Sequence, residues 1–260
     1  MTSTDTERVA DVTPHGSRGA LSRIVNVARL HVANPVPMFV IPVAITFVIF
    51  GVNLAIWAMV ASAAGGRSNL EADAFSYNGG VTWIIVFMMV IGVQAVTLTF
   101  RFALGFSVTR RDYFAGTLLF FAGMSAVYAV FLATMAALER ATDGWGLGGG
   151  FFGPWGLADA PIAVVWLVFF AAMLLSFAIG FVVAGIWMRW RAYGLYTFFI
   201  VLATLGVAAG WWMTSQSLWG DLFSWLGEQS LTSMSLWSLA ATVVCAGLGW
   251  GILRHATPRS

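Results

Sequence analysis

Hydrophobic and polar positions along this chain fall into long blocks rather than short alternations. Six stretches, 38–60, 81–102, 114–138, 162–188, 194–213 and 235–253, are apolar throughout, and no charge interrupts their central portions. A helix rises 1.5 Å per residue, so about 20 apolar residues cross roughly 30 Å of hydrocarbon. The pattern therefore predicts an all-α polytopic membrane protein with six transmembrane helices. Transmembrane strands would show short segments of alternating polarity. Pro42, near the start of the first stretch, is tolerable in a membrane helix, where neighbours satisfy the freed carbonyl.

Ahead of these blocks, residues 17–33 set Leu21, Ile24, Val25, Val27 and Leu30 against Arg18, Arg23, Arg29 and His31. The apolar set recurs at helical spacing, and Asn34-Pro35 ends it. A short amphipathic elbow helix lying in the interface, its arginines toward headgroups, is expected. Residues 1–16 are polar and lack a basic segment followed by an apolar one, so they read as a disordered cytoplasmic tail rather than a signal peptide. Residues 17–260 then form a single transmembrane domain.

Composition sharpens this reading. Of 260 residues 60% are hydrophobic and 9% charged, against about a quarter charged in soluble domains, which excludes a soluble enzyme or a disordered chain. All 13 basic residues are Arg. Without Lys there is no phosphate-binding loop of the Walker type and no Schiff-base chemistry. If ATP drives this protein, another chain must hydrolyse it. The single Cys245 excludes an intrachain disulfide and a multi-cysteine metal site, and His15, His31 and His255 all fall outside the apolar runs. No catalytic residue, metal site or cofactor is expected. The scattered arginines build no basic face for nucleic acid.

Orientation follows from the same arginines. With the N-terminus inside, Arg8, Arg18, Arg23, Arg29, Arg101, Arg110, Arg111, Arg189, Arg191, Arg254 and Arg259 are cytoplasmic, and only Arg67 and Arg140 lie outside. The positive-inside rule then puts both termini in the cytoplasm, and a multi-pass protein of the plasma membrane is expected. Most acidic residues, including Glu71, Glu139, Asp143 and Asp159, fall in the outer loops.

Function is most legible between the second and third spans. Residues 102–120 form a short cytoplasmic connection in which Ser107 or Thr109 can cap the next helix, followed by Arg110, Arg111, Asp112, Tyr113 and Phe114. Such an element suits docking: the charges would make rim contacts, and Tyr113 and Phe114 would anchor in a partner's groove. Its bland alternative is that Arg110 and Arg111 only enforce topology. Among uncharged polar groups at membrane depth, Gln94 and Asn53 are the candidates for a substrate path, although such amides more often bond neighbouring helices. The third loop has seven glycines between Gly144 and Gly156 and reads as mobile. In the fifth loop Trp219, Leu222, Phe223 and Leu226 share one helical face, which predicts an outer interfacial or re-entrant helix.

The run from Leu104 to Phe114, leading into an apolar helix with Gly116, resembles the first cytoplasmic loop of permease subunits of type-2 ATP-binding-cassette exporters, in particular small Arg-rich actinobacterial members. Residues Ala28 to Trp57 are similar to the same family's passage from elbow helix to first span. The resemblance is sharp over about a fifth of the chain. It implies a dimeric export pathway, with a second permease subunit forming a homo- or heterodimer. It also implies a separate cytoplasmic ATP-binding-cassette ATPase docked on Ser107, Val108, Thr109, Arg110, Arg111, Asp112, Tyr113 and Phe114, supported by the elbow residues Arg18 to His31. An apolar or amphipathic substrate would be exported through the surrounding lipid-embedded dimer.

Two other readings compete. A secondary transporter usually needs an ionisable residue near the midplane, and none stands there. A non-transporting scaffold subunit would be separated from a permease only by flux measurements. A membrane protease is disfavoured because Ser107 lacks both the second glycine of a nucleophile elbow and a nearby histidine base.

Overall fold

The computed structural model describes residues 19–71, 73–105 and 108–255. Arg18, Ser107 and the 1–16 tail lie outside the described residues. Seven α-helices make up the fold: α1 (Ala20–His31), α2 (Ile41–Ala63), α3 (Thr82–Gly105), α4 (Arg110–Ala141), α5 (Ile162–Ser215), α6 (Trp219–Glu228) and α7 (Leu231–Leu253). There is no strand among the described residues, only an isolated bridge between Phe75 and Gly149. Five of these helices, with α2 extended back to Val36 by a π-turn, are long and apolar enough to cross a membrane.

The count is five rather than the expected six because the fourth loop is a break inside α5. At Arg191 the backbone takes φ 57° and ψ −148°, a region that side chains other than glycine occupy only under strain. A straight 54-residue helix would run about 80 Å, far beyond one bilayer. It does not run straight. A Cβ on Gly194 would lie 3.3 Å from Ile186 Cγ2, although eight residues of straight helix span about 12 Å. The Arg189–Tyr193 segment is thus a sharp bend joining two arms, 162–190 and 192–215.

Helix α5 organises the rest. Its first arm runs antiparallel to α3, where Gly92 approaches the Phe177 carbonyl and Gly180 lies against Met89 and Val93. It runs parallel to α7, for Ala171 meets Ser238, Phe181 covers Gly249 and Gly185 faces Ile252. Two neighbouring parallel helices require the intervening chain to travel back, which the second arm does. The core between α3, α4 and the first arm is aromatic: Phe121 stacks on Phe177 at 4.7 Å, with Phe120 and Phe181 against the pair. By contrast, no residue of 192–215 is buried. Helix α6 forms where the fifth-loop periodicity places it, and none of its residues is buried.

At the end where α4 finishes and α5 begins, the glycine-rich loop is packed rather than mobile, contrary to its composition. Glu139, in the last turns of α4 and 2% exposed, accepts from the backbone N–H groups of Phe151 (2.8 Å), Phe152 (3.0 Å) and Gly153 (2.7 Å), and from the Trp145 indole at 3.0 Å. Phe151 and Phe152 are fully buried against Phe50 of α2. Arg67 donates to the Leu147 and Glu71 carbonyls. A carboxylate that the sequence reading put in an outer loop is the organiser of this end, because three successive amides converge on it more cheaply than they could be buried unpaired.

Candidate functional site

The expected docking loop and elbow helix come together at the end where α3 finishes, α4 begins, α5 bends and α7 finishes. Helix α1 lies along the first turns of α4. Close approach is possible because residue 116 is glycine: a Cβ there would sit 2.6 Å from the Ile24 carbonyl and 2.7 Å from Val27 Cγ1. Val27 is buried in that contact.

Two polar pins flank it. Arg23 Nε donates to Asp112 Oδ2 at 2.7 Å, and Asp112 is itself set at the helix start by Thr109, whose hydroxyl caps the Asp112 N–H at 3.1 Å. His31 is the second pin. It is buried, not turned to headgroups, and stacks on Phe120 at 4.9 Å. Thr117 Oγ1 donates its proton to the Tyr113 carbonyl at 2.8 Å, so it receives one from His31 Nε2 at 3.0 Å. Nδ1 is then the unprotonated nitrogen, 3.4 Å from Thr99 Oγ1, whose own proton goes to the Ala95 carbonyl at 2.6 Å. Desolvation by burial holds the His31 pKa down, to about 4.

The docking-loop residues therefore divide. Tyr113 and Phe114 pack into the chain itself: Tyr113 is fully buried with its hydroxyl 2.9 Å from Thr99 Oγ1, and half-buried Phe114 packs on Phe181 and Trp250. Burying both rings within the chain removes more apolar area from water than a surface knob would. Asp112 is consumed by Arg23 rather than free for a rim contact. Arg110 donates to the Leu253 and Arg254 carbonyls, satisfying the C-terminus of α7. What remains exposed is Thr109 and Arg111, with Val108 half-buried beside them and Arg29 exposed on α1.

Asn53 and Gln94 are not brought together. Asn53 receives from Asn78 Nδ2 at 2.8 Å and donates to the Ile49 carbonyl, so its amide ties α2 to the α2–α3 connection. Gln94, midway along α3, is exposed in the stripe with Val90 and Leu98, and its side chain has no hydrogen-bond partner among the described residues.

The His31 pin and the Glu139 organiser are the two polar centres that sequence reasoning missed. A glutamate five residues before a Gly-rich segment was the only available signal for the second. Among the described residues no three His, Cys, Asp or Glu side chains group as metal ligands.

The fold and these contacts define the class: an all-helical protein with five helices long and apolar enough to span a membrane, and a short amphipathic helix pinned alongside the start of one of them. Comparison with protein-family models, with curated proteins and with solved structures yielded no match.

Proposed function

We propose that this chain is the membrane-spanning permease subunit of an ATP-driven exporter, powered by a separate cytoplasmic ATPase subunit. The observation that carries the reading is the pinned unit of α1 and the start of α4. Arg23–Asp112 and His31–Thr117 join the two helices at both ends of their contact, so a push on Arg111 moves α1 and α4 together. An ATPase needs such a stiff handle, and this chain without Lys has no phosphate-binding loop of its own.

On this reading α5 crosses the plasma membrane twice, giving six crossings with both termini and the arginine-rich end in the cytoplasm. The return implied by parallel α5 and α7 supports it, as does the distribution of arginines. A second permease subunit covers surface that this chain leaves open. Arm 192–215 buries nothing, and the Gln94 amide lacks a partner at mid-helix, where an unsatisfied polar group facing hydrocarbon costs several kcal/mol. Between two such chains the Gln94 stripe, mostly apolar with one amide, would line a path for an apolar or amphipathic substrate.

The test is purification of the full chain from its native membrane, with ATPase and flux assays. A co-purifying ATPase, and flux lost on Arg111→Glu while the melting temperature holds, is the expected result. Wild-type flux in Arg111→Glu, together with no associated ATPase, would overturn the proposal.

A further inference from the structure

An apolar groove of about 550 Å³ opens between α1, the turn before α2 and the middle of α4, lined by Val25, Ala28, Arg29, Phe39, Gly123 and Val127 among others. Three observations bear on what fills it. First, the groove cannot close by collapse, because α1 is pinned to α4 at Arg23 and His31 and already touches it at Val27–Gly116. Second, its floor is left open by Gly123, where a Cβ would meet nothing within 4 Å. Third, its one charged lining residue is Arg29, which is exposed and has no carboxylate partner among the described residues.

We infer that this groove is a lipid site: it takes an acyl chain of an anionic glycerophospholipid from the leaflet in which α1 lies, with the phosphate against Arg29. Water gains no hydrogen bonds from the apolar walls, and an unfilled groove forfeits their dispersion contacts. An acyl chain restores those contacts. The guanidinium on the rim selects a phosphate-bearing headgroup of net negative charge, since a basic side chain at this depth favours anionic over zwitterionic lipid by about fivefold. The inference rests on α1 lying in the membrane interface, and not on transport or on an ATPase partner.

Native mass spectrometry of the full chain from mixed phosphatidylglycerol and phosphatidylcholine nanodiscs tests it. One retained phosphatidylglycerol per chain is expected, at roughly a fivefold preference. Arg29→Gln should bring the preference to parity while retaining a lipid, and Gly123→Leu, which fills the floor, should lose the bound lipid altogether. A phosphatidylglycerol with a photoreactive acyl chain, used on the unmutated protein, should label the peptides 25–39 and 120–127 most heavily. Labelling spread evenly over the exposed α5 and α7 faces, or unchanged lipid retention in a folded Gly123→Leu protein, would overturn the site. A chain that does not fractionate with membranes would instead defeat the membrane reading itself.

Discussion

His31 shows how much one side chain can set in this protein. Its ring sits between Thr117, Thr99 and Phe120, and burial there disfavours the charged form. Its folded pKa of about 4 lies below the ordinary 6.5, so between these values the undocked state binds the extra proton. Stability contributed by the His31 contact is complete above pH 6.5 and falls as pH drops toward 4, by up to about 3 kcal/mol. Thermal unfolding in detergent from pH 7 to pH 4.5 should show this slope in wild type and a shallower one in His31→Gln. Equal slopes would mean the ring is solvated. Nothing in the residue pattern distinguished His31 from Arg29 two positions earlier, because amphipathicity assigns faces but not the depth at which a helix sinks between its neighbours.

Elements were legible to different degrees for the same physical reason. Apolar blocks announce helices because a helix satisfies its own backbone wherever it lies, so α2, α3, α4 and α7 fall within a few residues of the expected spans. The α4–α5 loop was misread because its order comes from one carboxylate reached from outside the loop. Glycine at seven positions lowers the cost of bending the chain around Glu139 rather than implying motion. Glu139→Gln keeps the shape but replaces one acceptor oxygen with an amide group that cannot accept from the converging N–H groups. It should destabilise this end by about 2–4 kcal/mol and open 144–160 to limited proteolysis, while the α1–α4 contact stays intact. Resistance equal to wild type would show that the aromatic cluster alone holds the loop. The inward packing of Tyr113 and Phe114 was not legible for the converse reason: an aromatic pair beside an Arg pair looks the same in sequence whether it faces a partner or the chain's own core.

For the whole molecule, the useful division is between its two ends. Arg110, Arg111, Arg189, Arg191 and Arg254 lie at the end where α5 bends, with Arg23 held there by Asp112, and Arg67 and Arg140 lie at the opposite end beside the glycine-rich loop. In a Cys245→Ala background, single cysteines at Arg111 and Gly146 should react with an impermeant thiol reagent from opposite faces of sealed vesicles. Labelling from the same face would overturn the topology. The exposure of arm 192–215 was not legible from hydropathy, which reports how apolar a segment is and not whether lipid or protein covers it.

Arg110 reaches carbonyls 143 and 144 residues further along the chain. At ribosomal rates of 5–20 residues per second, that partner emerges on the order of ten seconds after the arginine itself. Until then water rather than the end of α7 solvates the Arg110 guanidinium, so this tie between the head of α4 and the last helix is among the final contacts that the chain can make.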